Sequence, residues 1–344
     1  MTAYKIALMP GDGIGPELTE AALKILDVVQ ENFNITLNML PAEAGDAVYK
    51  RAGVALPEDS LRVIRESHAC LKGPVGETAA DVIVRLRLLF DLYANVRPIK
   101  AFPNVPVARS DIDMIFVREN TEDVYKGLEY SIGDDTAVCL RVITRKNCER
   151  IAKRAFETAC LRSKKKKVTA IHKANVMRVT DGLFKRVCQE TAKNYPDIIY
   201  NEMYVDAATM HLIRTPQDFD VLCTCNMFGD ILSDEAAQLI GGLGMAPGAN
   251  IGDNFALFEP IHGSAPDIAG KQIANPISMI LSTKMMLDWL GERFNDSKCL
   301  NAAAAIERAV IQTLINGPTV PDLGGKASTL QMAQAIAVAL KNSL

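Results

Sequence analysis

Asp230 and Asp234 stand four residues apart in "NMFGDILSDEAAQLIGGLG" (226–244), so in a helix both carboxylates project from one face. Like charges at that spacing repel by about a few tenths of a kcal/mol, and the residues around them are largely apolar. A solvated helix face would carry such a pair without consequence. The strand-like "DVLCTCN" before the pair and Gly241-Gly242-Leu243-Gly244 after it set the pair beside a sheet end, where open α/β proteins bind ligands. Two carboxylates there suit a hard divalent cation, Mg2+ or Mn2+.

A second stretch is "FEPIHGSAPDIAGKQIANP" (258–276). His262 followed by Gly-Ser-Ala-Pro-Asp makes a loop of small side chains and free N–H groups. A lone histidine is more often part of the scaffold, but this whole loop reads as a ligand contact. An acidic residue in such a loop accepts both hydroxyls of a ribose and repels a 2′-phosphate. "VRENTEDVYKG" (117–127) offers Arg118 and Tyr125, and "IHKANVMRVTDG" (171–182) offers Lys173. Taken singly these three read as hydrogen-bonding scaffold. "DVIVRLRLLFDLYANVRPIK" (81–100) places Arg87 and Arg97 around a helix expected to end before Pro98. Arginines so placed are natural clamps for carboxylates.

"MPGDGIGPEL" (9–18) is a glycine turn between the apolar "YKIAL" and the helix-like "TEAALKILDVV". A dinucleotide fingerprint needs G-x-G-x-x-G and an acid closing the second strand. Here Gly15 is followed by Pro16 and Glu17, and the second run ends in Leu40 with Glu43 too late. Pro16 fits the first turn of a helix. The turn therefore feeds a helix without being a Rossmann fingerprint.

These residues need elements to hold them. Short apolar runs alternate with helix-like segments at both ends of the chain, which predicts α/β units around a mostly parallel sheet. The middle is β-rich ("IDMIFVREN", "LEYSIG", "TAVCLRVITR") before helical patterns resume. With no linker or repeat, a second domain is expected to be inserted into the first.

At 344 residues, 49% hydrophobic and 23% charged, the chain is long enough for two domains with large cores. A net charge of −3 gives no reason to expect nucleic acid, and the run Lys164–Lys167 reads as a solvated loop or helix end. No stretch reaches the roughly 20 apolar residues of a membrane span. The start lacks a signal-peptide pattern, and the eight cysteines include no CxxC, so a reduced, cytoplasmic setting is expected.

Together, from Gly11 to "VPDLGG" (320–325), these motifs resemble the β-decarboxylating dehydrogenases, the family that acts on isopropylmalate, isocitrate, homoisocitrate and tartrate. The resemblance implies an isopropylmalate dehydrogenase-like α/β fold that is not Rossmann. Residues 1–99 and 243–344 would form a cofactor-binding domain. Residues 100–242 would form an inserted α+β domain carrying the substrate and metal site and the dimer interface.

The resemblance also implies roles. Arg87, Arg97 and Arg118 would hold the malate carboxylates, with Ile83, Val84 and Val176 also at the substrate. Tyr125 would protonate the enol, and Lys173 would take the proton of the 2-hydroxyl. Asp206 in "YVDAAT", Asp230 and Asp234 would bind Mg2+ or Mn2+, with Lys173 and Asp206 reaching in from the neighbouring subunit of a homodimer or higher homo-oligomer. The cofactor would meet Gly13, Ile14, Asn175, Glu259, His262, Gly263, Ser264, Ala265, Asp267, Ile268 and Asn275. Asp267-Ile268 stand where NADP-dependent relatives carry Lys-Tyr, which implies NAD.

Substrate choice rests on the group at C3. Ala80, Ile83 and Val84 precede Arg87 by one or two turns on one helix face and are apolar. Arg85, about 200° round the helix from Arg87, should point away, and Asp81 would repel an acid. An apolar wall fits an isopropyl group, at roughly 1–3 kcal/mol against a missing methylene or two. "GETAADVIVRLR" also resembles the archaeal isopropylmalate branch, with 3-methylmalate as a further substrate. The rival readings are a homoisocitrate or isocitrate enzyme and a catalytically silent regulatory subunit.

Overall fold

The computed structural model describes residues 3–107 and 109–342. Among these described residues, twelve strands run β1 (Ala3–Met9), β2 (Thr36–Pro41), β3 (Ala69–Lys72), β4 (Ala94–Lys100), β5 (Asp113–Glu119), β6 (Glu129–Ile132), β7 (Thr136–Cys139), β8 (Lys167–His172), β9 (Ile199–Tyr204), β10 (Val221–Thr224), β11 (Pro247–Ile251) and β12 (Ala256–Pro260). Eleven α-helices run, among the described residues, α1 (Gly15–Phe33), α2 (Asp46–Ala52), α3 (Glu58–Arg65), α4 (Asp81–Leu89), α5 (Arg145–Arg162), α6 (Thr180–Ala192), α7 (Val205–Arg214), α8 (Asn226–Gln238), α9 (Ile277–Phe294), α10 (Ser297–Asn316) and α11 (Thr329–Asn342).

Ten strands form one sheet in the order β2-β1-β3-β12-β11-β4-β5-β10-β8-β9. The outer pairings are parallel, as alternating strands and helices require. The centre is antiparallel, through β12–β11, β11–β4 and β4–β5. One half of the sheet draws on both ends of the chain and the other on its middle. The β-rich middle also supplies β6–β7, a separate two-stranded antiparallel sheet whose residues are almost all exposed.

Helix α1 shows how local sequence sets an element. Pro16 occupies its first turn, and Leu18, Ala21, Ala22, Ile25, Leu26 and Val29 form one buried stripe. Asn34 ends it in the left-handed conformation at φ 55°. That stripe packs into the largest core cluster with α9, α10 and α11. A second cluster lies under α5 and α6, and a third joins α3 and α4 to β1, β3 and β12. Six of the cysteines are buried in these cores and all eight are free thiols, as their apolar settings suggest.

One local expectation is corrected. The helix carrying Arg87 ends at Leu89, and Arg97-Pro98 lie in strand β4. Pro98 is tolerated because β11 covers β4 only from Ala94 to Val96, so at Pro98 only β5 flanks the strand.

Candidate active site

The antiparallel register at the sheet centre builds the site. Asn95 on β4 is opposite Arg118 on β5 and Asn250 on β11, which lines the three side chains in a row across the strands. Asn250 is fully buried, and its Oδ1 accepts from Arg87 Nε (3.1 Å), Asn95 Nδ2 (2.9 Å) and Asn120 Nδ2 (2.9 Å). Its Nδ2 donates to Glu259 Oε1 at 2.8 Å. Asn95 Oδ1 in turn accepts from Arg97 Nε at 2.6 Å. A chain of amides thus aims two of the three arginines.

The arginines converge on α8. Arg97 donates to Ser233 Oγ (2.8 Å), Asp234 Oδ1 (2.9 Å) and Asp230 Oδ1 (3.1 Å). Arg118 donates through Nε to Asn226 Oδ1 at 2.9 Å and through a terminal nitrogen to Asp230. Its stem crosses α8 at Gly229, where a Cβ would meet Arg118 Cγ at 2.5 Å. Tyr125, in a one-turn helix (Val124–Lys126) capped by Asp123, donates its hydroxyl to Asp230 and lies beside the Arg118 guanidinium. Asp230 and Asp234 therefore do share a helix face, and that face looks onto three buried cations.

The electrostatics follow from crowding. Burial pulls the Arg87 and Arg118 pKa values down, and neighbouring guanidiniums pull them further. Burial also pushes Tyr125 up, and its hydrogen bond to Asp230 adds to this, so the phenol keeps its proton. At Asp230 burial is outweighed by Arg118 and Arg97, and the carboxyl is held low. At Asp234 burial wins and the value rises. A dicarboxylate and a dication would each find counter-charges here, exchanging partners with the arginine–aspartate pairs.

Arg87 and Arg97 also line a cavity of about 230 Å3 with Asn95, Lys72, Ala80, Ile83, Val75, Glu259, His262 and Gly263. Ala80 and Ile83 thus form apolar wall beside the arginines, while Val84 lies outside this lining. Asp81 and Arg85 line a different cavity with Tyr49 and Leu56, so both are turned away from Arg87. Glu259 is pinned by Lys72 (2.7 Å), which with Arg87 overrides burial and holds its carboxyl low.

The near-fingerprint turn and the "HGSAPD" loop meet directly. Ile14 N donates to Ser264 O at 2.9 Å, and a Cβ on Gly13 (φ +57°) would meet that same oxygen at 1.9 Å. The Gly13–Ile14 backbone therefore packs against the loop of His262, Gly263, Ser264 and Ala265, with Ile14 buried, Asp267 exposed and Ile268 half-buried in the following turn. His262 Nδ1 contacts Gly263 O at 3.0 Å, and its Nε2 is buried with no protein partner. Burial lowers its pKa. Asn275 is engaged internally, accepting from Ile277 N at 3.0 Å at the start of α9 and donating to Asp322 at 3.2 Å.

Lys173 and Asp206 form a second cluster. Lys173 follows β8, and its ammonium pairs with Asp206 in the first turn of α7, lowering the Asp206 carboxyl. Asn175 and Val176 are exposed on the same loop. Among the described residues, no three His, Cys, Asp or Glu side chains of one chain group closely enough to hold a metal ion. Two candidate metal ligands sit on α8 and the third with Lys173.

The isocitrate/isopropylmalate dehydrogenase profile matches residues 5–336. The chain belongs to that family. A 3-isopropylmalate/3-methylmalate dehydrogenase of Methanocaldococcus jannaschii is 50% identical over 337 residues, covering 97% of this chain and 98% of that one. A 3-isopropylmalate dehydrogenase of Methanothermobacter thermautotrophicus is 51% identical over 337 residues, with 98% of each chain covered. The crystal structure of isocitrate dehydrogenase from Methylococcus capsulatus superposes with a TM-score of 0.92 at 44% identity, covering 98% of this chain and 99% of that one. The family's dehydrogenase fold is thus the mixed α/β fold seen here.

Sequence reasoning missed the residues that hold this site in shape: Lys72, Asn95, Asn226 and Asn250. Asn95 and Asn226 lay inside the quoted motifs, but nothing local marked Asn250, whose role depends on strand register.

Proposed function

We propose that the chain is an NAD-dependent 3-isopropylmalate dehydrogenase that oxidises its substrate at C2 and releases its β-carboxylate as CO2, with 3-methylmalate as a smaller substrate. The observation that carries this reading is the cavity in which Arg87 and Arg97 stand beside the apolar Ala80 and Ile83, with Asp81 and Arg85 facing elsewhere. The arginines recognise the malate carboxylates, and the apolar wall receives the isopropyl group. The two archaeal relatives support the substrate choice.

Asp230 and Asp234 offer hard oxygen ligands suited to Mg2+ or Mn2+, and the partner subunit's Asp206 completes the set. The loop from His262 to Ile268, with Gly13 and Ile14, fits a dinucleotide: small residues, an unpartnered imidazole nitrogen and an exposed carboxylate at Asp267. That carboxylate favours a free ribose hydroxyl pair over a 2′-phosphate. When bound, NAD accepts the hydride and the cation polarises the C2 oxygen.

The chain's own residues do the rest. Arg87, Arg97 and Arg118 fix the carboxylates so that C2 faces the cofactor loop. The partner subunit's Lys173 accepts the hydroxyl proton. Tyr125, protonated and half-buried, delivers a proton to the carbon left by CO2.

A dimer explains why Lys173 and Asp206 stand apart from Asp230 within one chain. It also explains the exposed apolar side chains on the same elements: Val176, Val179, Met210, Ile213 and Ile231. The division is into residues 1–99 with 243–344 and residues 100–242, in a cytoplasmic enzyme.

Incubation with 3-isopropylmalate, NAD and Mg2+ should give NADH and CO2 in equal amounts, with NADP a poorer substitute. No turnover would remove the reading in favour of a silent subunit, and equal use of NADP would remove the role given to Asp267.

A further inference from the structure

Arg141 follows β7, and its side chain is 11% exposed. Its Nε lies 3.0 Å from Asp123 Oδ1 and a terminal nitrogen lies 3.3 Å from Asp181 Oδ1, both carboxylates having no exposed surface. Its Cζ lies over the Phe228 ring on α8, 4.5 Å from the ring centre. The segment is also tied by backbone, Asp123 N donating to Val142 O at 2.9 Å.

Each carboxylate holds a different part of the site. Asp123 Oδ1 accepts from Val124 N at 2.9 Å, fixing the one-turn helix of Tyr125. Asp123 Oδ2 accepts from Met227 N at 3.1 Å, fixing the first turn of α8, which carries Asp230 and Asp234. Asp181 Oδ2 accepts from Lys173 N at 2.6 Å, fixing the loop of Lys173. We propose that Arg141 is a positioning residue that clamps the Tyr125 turn, the α8 start and the Lys173 loop in one register. This rests on the roles given above to Tyr125 and Lys173.

The physical reason is charge. Two fully buried carboxylates face one cation, and without it they would be left close together with no counter-charge. Burial already pushes the Asp181 carboxyl up against the pull of Arg141. Either carboxylate would then shift and loosen the backbone N–H groups it holds. In the dimer, Tyr125 serves its own site and Lys173 the partner's, so this ion triad also couples the two sites.

The test compares Arg141→Met and Arg141→Lys with Tyr125→Phe and Lys173→Met, each assayed per folded molecule. Arg141→Met should lower kcat about 100-fold, the effect of misplacing reacting groups by about 1 Å, with KM for NAD unchanged. In the Tyr125→Phe and Lys173→Met backgrounds its further effect should shrink to about tenfold or less, because groups acting as a unit are not additive. Arg141→Lys, which reaches one carboxylate at a time, should fall between. If Arg141→Met fails to fold, Arg141→Lys carries the test with about a tenfold lower kcat and an unchanged KM for NAD. Wild-type kcat in the variant tested, or the full loss repeated in both backgrounds, would overturn the inference. Wild-type kcat in Tyr125→Phe or Lys173→Met would instead overturn the assigned roles, whatever Arg141 does.

Discussion

Glu259 joins the arginine cluster to the loop of His262, since it touches Lys72, Asn250 and the cavity that His262 also lines. Glu259→Gln would leave the 2% exposed Lys72 without its counter-charge, at a cost of about 3 kcal/mol at pH 7. The sign with pH follows from the lowered Glu259 value. The ion pair stabilises the protein fully above the unfolded carboxyl pKa and is lost as pH falls through the lower folded value. Urea unfolding of both proteins should therefore show a gap at neutral pH that closes in acid. A gap that stays constant to low pH would mean that shape, and not charge, explains the loss.

At the scale of elements, α8 gives up helix propensity to the needs of the site. Alanine is a better helix former than glycine by about 1 kcal/mol, yet Gly229 faces the Arg118 stem with no room for a Cβ. Gly229→Ala should leave the helix intact, push Arg118 off Asn226 and Asp230, and raise KM for the malate substrate about tenfold or more. An unchanged KM would show that the stem can yield.

Much of this level was legible. The Asp230/Asp234 spacing, the turn into α1 and the apolar face before Arg87 follow from periodicity. The strand holding Arg97 did not, because Pro98 reads locally as a helix stop while its tolerance depends on how far β11 extends. Asn250 and the Asp123–Arg141–Asp181 triad were hidden for the same reason: their partners lie far apart in sequence and meet only through strand register and loop packing.

At the scale of the molecule, a single ten-stranded sheet carries Arg97 and Arg118 at its antiparallel centre, between a half built from both chain ends and a half built from the middle. Within one chain Lys173 and Asp206 pair with each other, apart from the arginine–α8 cluster. The shared-site reading makes a specific demand. Tyr125→Phe and Lys173→Met proteins, each with only residual activity, should on mixing and reassembly recover about a quarter of wild-type activity, since half of the dimers are hybrids with one intact site each. Activity no greater than the sum of the parents would place both residues in one chain's site. The family resemblance was legible over the whole chain, but the substrate rests on a few apolar side chains. The most direct measurement is kcat/KM with NAD and Mg2+ for 3-isopropylmalate against isocitrate and homoisocitrate. The apolar wall predicts at least about a tenfold preference for 3-isopropylmalate, and an equal or higher value for either tricarboxylate would contradict it.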